Sequence, residues 1–70
     1  MNLGSAQNIN LYRHLKSGRI YEAISLNAIN ATNEQDGQIM VIYIGEKKDG
    51  SGKGVFVREI NQFMEKFEKI

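Results

Sequence analysis

Ile39-Met40-Val41-Ile42-Tyr43-Ile44 is apolar at every position, and four of its six residues are β-branched. Six residues are too few for a buried helix, and β-branched side chains favour the pleated state. An apolar run without alternation predicts a strand covered on both faces, and therefore a central one. Asp36-Gly37 just before it is a favoured turn pair. Gly45 to Gly54 after it contains Lys47-Lys48-Asp49-Gly50-Ser51-Gly52-Lys53, flexible and polar chemistry that predicts a protruding hairpin loop.

Outward from this strand the pattern stays β. Leu11 to Leu15 and Ile20 to Asn27 read as two strands joined through Lys16-Ser17-Gly18-Arg19, with Gly18 suited to a positive φ and Ile20, Ile24 and Leu26 on one side. Asn27 to Gln38 reads as a loop. Val55-Phe56-Val57-Arg58 is short and β-prone. Ile60, Phe63, Met64 and Phe67 then recur at helical spacing among polar residues, which predicts an amphipathic helix with Asn61 as its N-cap. Residues 1–9 are small and polar and read as a disordered N-terminal segment, and residues 10–70 as one domain. The fold class expected is mainly β with an added helix: a small antiparallel SH3-like barrel of four to five strands, or a curled sheet, with the C-terminal helix over its edge or open end.

Seventy residues bury only ~60% of the surface that the unfolded chain exposes, so a margin of only ~3–5 kcal/mol is expected. The absence of Cys removes disulfides and thiolate metal sites, and one His is too few for a zinc site. No cofactor or metal is expected. A charge of +1 is too balanced for binding driven by overall field, so any nucleic-acid reading must rest on a local patch. With neither a signal segment nor a long apolar stretch, a soluble, cytoplasmic setting with no membrane partner is expected.

Gly50-Ser51-Gly52-Lys53-Gly54 resembles the end of a phosphate-binding loop but lacks the Gly five residues earlier and the hydroxyl after Lys, which argues against nucleotide hydrolysis. His14 is the default general base, yet no nucleophile or orienting carboxylate is recognisable by spacing, so no catalytic residue is assigned. Alternation puts Tyr12, His14 and Lys16 on one face of the first strand and Leu11, Arg13 and Leu15 on the other. If the leucines face the core, the first set is an exposed aromatic and cationic platform. Tyr21 and Tyr43 are candidates for the same surface, their alternative being half-buried sheet positions with hydroxyls in water. Arg58 is expected to pair with a carboxylate such as Glu22 or to hold an anion. The sequon Asn30-Ala31-Thr32 carries no weight without a secretory signal.

These residues resemble a small bacterial and phage family catalogued as a domain of unknown function, with a YRH-x-K-x-G-x-x-YE opening, a VVY-type strand and a VR-x-x-x-x-F close. The matches are Tyr12, Arg13, His14, Lys16, Gly18, Tyr21 and Glu22, then Val41, Ile42 and Tyr43, then Val57, Arg58 and Phe63. Phe56 and Glu59 depart from the family's Trp and Pro, and the loop from Glu46 to Gly54 is long for it. The resemblance implies an SH3-like barrel of bacterial or prophage origin and brings no catalytic residues with it. The sequence therefore points to a non-catalytic binding module using Tyr12, His14, Lys16, Tyr21, Tyr43, Arg58, Lys47 and Lys48. A protein or peptide is the favoured partner and single-stranded nucleic acid the other candidate. The alternative is a structural or assembly protein, including a homodimer built through the helix and an exposed strand edge.

Overall fold

The computed structural model describes residues 10–32 and 37–70. The elements are β1 (Asn10–His14), β2 (Ile20–Ile29), β3 (Ile39–Glu46), β4 (Lys53–Glu59), α1 (Ile60–Lys66) and β5 (Phe67–Lys69). All strand pairs are antiparallel, and the sheet order is β4-β3-β2-β1-β5. The mainly β class with a C-terminal helix is thus what the chain adopts. β4 and β5 are the two edges, with no ladder between them among the described residues, so the pairing is that of an open sheet. The expectations for residues 1–9 and for Asp36 lie outside the described residues.

The unbroken apolar run forms the core of β3, flanked by β2 and β4. Val41, Tyr43 and Gly45 are buried on the inner face, while Ile42 and Ile44 on the outer face are only half-buried. The strand is interior within the sheet, but only one of its faces is covered by another layer.

That layer is α1. Glu59 closes its N-terminus, accepting bonds from the amides of Asn61 at 3.0 Å and Gln62 at 3.1 Å, so the cap is Glu59 and not Asn61. A longer side chain two residues earlier reaches the orphan amides that Asn61, already inside the helix, cannot. The helix has seven residues and stops because Phe67 turns extended (φ −131°, ψ 153°) to open β5. β5 pairs with β1, joining Tyr12 to Lys69 and His14 to Phe67. Edge pairing with β1 therefore replaces the final helical turn. Of the expected helical stripe, Phe63 is fully buried and Ile60 packs against the core, but Met64 is 47% exposed.

The core is aromatic. All six aromatic residues of the chain belong to it or pack against it: Tyr12, Tyr43, Phe63 and Phe67 buried, Tyr21 and Phe56 partly so. Phe63 stacks on Phe67 at 4.2 Å between ring centres, and Tyr12 meets Phe63 edge-on at 5.0 Å. Edge-to-face and offset contacts of this kind stabilise by ~0.5–1.5 kcal/mol each beyond the area they bury. Most of the large aliphatic side chains of β1, β2 and β4 lie on the other side of the sheet. Leu11, Leu15, Ile20, Ile24, Val55 and Val57 are all exposed, which inverts the phase expected for the first hairpin. The leucines are outside, and Tyr12 is inside at 6% exposure. Both faces of β1 carry apolar groups, and the rings that α1 and β5 contribute select the aromatic one.

Two register shifts in β2, between Ala23 and Ser25 and between Ser25 and Ala28, change its phase. Ser25 Oγ bonds the side chain and amide of Asn27 there, at 3.1 and 3.4 Å. Tyr21 and Ala23 face inward before the irregularity and Leu26 after it, so Leu26 packs on the core while Ile20 and Ile24 do not. β2 also continues to Ile29, so residues 27–29 are strand and not loop.

Candidate functional site

In an antiparallel meander alternate turns fall at the same end of the sheet, so the β1–β2 and β3–β4 turns are neighbours. Arg19 Nη1 donates across the gap to the Lys47 carbonyl at 3.4 Å. The first turn is closed by Gly18 N to His14 O at 2.7 Å with Gly18 at φ +77°, as its sequence suggests. The second is closed by Lys47 N to Gly52 O at 2.8 Å. Lys53 begins β4 and no helix follows it directly, so the phosphate-loop resemblance ends in a hairpin.

Between the turns lies a cavity of about 430 Å³ whose walls are Tyr21, Tyr43, Phe56 and Phe67 and whose cations are Arg19, Lys47, Lys48 and Arg58. His14, Ser17 and Glu46 complete its lining. Two glycines let its wall residues lie close against the sheet. Gly45 and Gly54 face each other across β3 and β4. The Tyr21 ring lies where a side chain on Gly45 would be, and the Lys47 stem runs over Gly54. A strand glycine marks such close approach.

Tyr21 stands edge-on to Tyr43, Phe67 and Phe56 at 5.5, 5.6 and 6.1 Å between ring centres, forming an upright wall. Arg58 comes from the inner face of β4. Its Nε donates to the Tyr43 hydroxyl at 3.2 Å, and its guanidinium sits 6.0 Å from the centre of the Phe67 ring. The expected ion pair with Glu22 is absent because Glu22 sits on the outer face, opposite Ile44. Among the described residues no carboxylate is within ion-pair distance of Arg58, and the one ion pair joins Arg13 to Glu68 at 2.7 Å. The terminal amino groups of a half-buried, ring-backed guanidinium are therefore left to the cavity.

His14 Nδ1 accepts from the Ser17 amide at 3.3 Å and lies 2.8 Å from Ser17 Oγ. An amide can only donate, so the neutral ring carries its proton on Nε2. Partial burial first, then the charges of Arg58, Lys48, Lys66 and Lys16, hold the His14 pKa below its ordinary value. A cleft and a displaced titration are both marks of a catalytic imidazole. Here the displacement comes from partial burial and four surrounding cations. Ser17 Oγ also accepts from the Arg19 amide at 3.2 Å, and no carboxylate orients the imidazole among the described residues. The Ser17–His14 contact locks a turn.

Of the side chains singled out from sequence, His14, Tyr21, Tyr43, Arg58, Lys47 and Lys48 converge on this cavity. Tyr12 does not: its ring is packed against Phe63, with the Lys69 ammonium 5.7 Å from its centre, so it is a core residue and no platform. Lys16 lies beside an adjoining hollow with Lys66, Glu65, Leu15 and His14. Phe56, Phe67, Arg19, Ser17 and Glu46 also line the cavity without having been singled out. Phe56, whose ring adjoins Gly54, is the one of these that a strand glycine could have signalled.

Comparison with family models, with curated proteins and with solved structures returns no match for this chain. The reading of function rests on the geometry. Four rings offer edges and faces to a planar group, and four cations against one carboxylate favour an anion beside it. Among the described residues no three His, Asp or Glu side chains are grouped so as to hold a metal, and no helix is long and apolar enough to cross a membrane.

Proposed function

We propose that this domain is a non-catalytic binding module, and that its ligand presents a planar group with adjoining negative charge to the cavity between the two turns. The observation carrying this is Arg58: a half-buried cation, oriented by Tyr43, backed by Phe67 and lacking a carboxylate partner among the described residues, faces an aromatic-walled cavity. A peptide, a protein or a single-stranded nucleic acid can supply such a group. The antiparallel meander supports a place among small SH3-like barrels, and a cysteine-free chain suits the reducing cytoplasm. Amide and aromatic chemical shifts during titration with inorganic phosphate, thymidine monophosphate and phosphotyrosine test the reading. Ring-bearing anions should move Tyr21, Phe56 and Arg58 together, and Arg58→Gln should abolish the effect. Changes spread evenly over the surface, or none, count against it.

A second reading, an assembly protein that pairs with its own copy, is favoured by the outer face of the sheet. Leu11, Ile20, Ile24, Val55, Val57 and Ile70 are all exposed there, an apolar patch of the kind that marks an interaction surface. Sedimentation equilibrium decides it. A dimer that Val57→Lys dissociates supports this reading, and a strict monomer at all accessible concentrations removes it.

A further inference from the structure

The cavity is not isolated. His14 lines both it and the adjoining hollow of about 210 Å³, so the two meet at one imidazole. Arg19, Lys47, Lys48 and Arg58 line the first and Lys16 and Lys66 the second. That gathers six of the chain's nine Lys and Arg, against two of its eight Asp and Glu, Glu46 and Glu65, on one stretch of surface. A chain with a net charge of +1 thus carries a continuous basic track beginning at an aromatic cavity.

Resting on the reading of that cavity as the binding site, we propose that its ligand is single-stranded nucleic acid, one base standing against Tyr21 and Phe56 while the backbone leaves past His14, its phosphates meeting Arg58, Lys16 and Lys66. The repeat of the ligand matches the repeat of the surface. A single strand alternates a planar, apolar-faced base with a phosphate, and sequence-tolerant binding needs a stacking platform followed by a cationic groove. A peptide can supply a ring or a negative charge at a given residue, but its backbone does not alternate the two at a fixed repeat. A free aromatic anion would fill the cavity and leave Lys16 and Lys66 without a role. An anionic membrane would require several exposed aliphatics beside the cations, whereas Leu15 alone among the lining residues is aliphatic and Val55, Val57 and Ile24 lie on the opposite face of the sheet.

The test uses the full chain with four probes: fluorescent hexathymidylate and hexauridylate, thymidine monophosphate and hexaglutamate. A hexanucleotide should bind at least tenfold more tightly than the mononucleotide, and log K should fall with log salt at a slope of roughly −2 to −3, as expected for three to four neutralised phosphates. It should also shift Tyr21 and Phe56. Lys16→Gln combined with Lys66→Gln alters only exposed side chains, and should make that slope shallower by about one to two while leaving the mononucleotide affinity unchanged. A hexanucleotide that binds no better than the monophosphate overturns the track while leaving the cavity as a site for a single aromatic anion. Equal affinity for hexaglutamate, with the same lysine dependence, overturns the nucleic acid in favour of an acidic peptide. No shift at Tyr21 or Phe56 with any probe overturns the cavity reading itself.

Discussion

Gly45→Ala tests the central packing claim, that the Tyr21 ring stands where a β3 side chain would otherwise be. A Cβ at Gly45 would lie 2.5 Å from Tyr21 Cε2, too near for either group to stay. Overpacking of this kind costs about 1–3 kcal/mol. If the ring swings out instead, its edge contacts with Tyr43, Phe56 and Phe67 weaken, each worth ~0.5–1.5 kcal/mol, at the low end for a half-buried ring. Alanine offsets part of this, because glycine inside a strand is poorer by about 0.5–1 kcal/mol. The net expectation is a loss of about 0–2.5 kcal/mol, centred near 1, against the ~3–5 kcal/mol margin of so small a domain. With an m-value near 1 kcal/mol/M for a chain of this size, the urea midpoint should fall by roughly 1 M. The decisive measurement repeats the substitution in a Tyr21→Ala background. There the obstruction is gone, and Gly45→Ala should be neutral or stabilising by about 0.5 kcal/mol. An equal loss in both backgrounds would refute the reasoning.

Three further outcomes are expected. Phe63→Ala, which empties a fully buried site between Tyr12, Tyr43 and Phe67, should cost ~3–5 kcal/mol and leave the chain largely unfolded by near-UV circular dichroism. Glu59→Ala should lower stability by about 1 kcal/mol in urea unfolding through loss of the cap, whereas Asn61→Ala should change it by less than about 0.5 kcal/mol. His14 is held below its ordinary pKa by partial burial and by Arg58, Lys48, Lys66 and Lys16, so the unfolded chain takes up the proton first as pH falls below 6.5. Stability should drop through that window and not above it, and His14→Gln should flatten the urea midpoint between pH 7 and pH 5.5.

What the sequence makes legible is what local chemistry determines alone. The β-branched run at Ile39 to Ile44, the Gly18 turn and the polar hairpin loop after Gly45 all form where their residues direct. The inner and outer faces were not legible in β1, because Leu11 and Leu15 on one side and Tyr12 on the other are comparable apolar payloads. The choice is made by Phe63 and Phe67, about fifty residues further on, which bring rings to rings. The phase change at Ser25 likewise depends on the pairing with β3, and simple alternation across it carried Ile24 to the wrong side. β5 was hidden for the same reason. Phe67 satisfies helical spacing, and only the free edge of β1 makes the extended conformation better.

The candidate site shows the complementary pattern. Residues named for their chemistry, His14, Tyr21, Tyr43, Lys47, Lys48 and Arg58, converge although they come from β1, β2, β3, the second turn and β4. The meander accounts for this. It brings both turns to one end, and period two sends Tyr43 and Arg58 to the same face, so polar and aromatic residues near that end are driven together. The same geometry sets a conflict between site and core. Tyr21 and Phe56 would stabilise a seventy-residue domain most if fully covered, yet both are left half-open, and Gly45 and Gly54 give up side chains that would otherwise fill the space. Six cations gathered against two carboxylates repel one another, and four of them join partial burial in lowering the His14 pKa. Each of these features lowers the stability of the free domain and would be relieved by an anion with a flat face. Binding and folding are then linked: a ligand that fills the cavity should raise the urea midpoint in step with its occupancy, and do so less in Arg58→Gln.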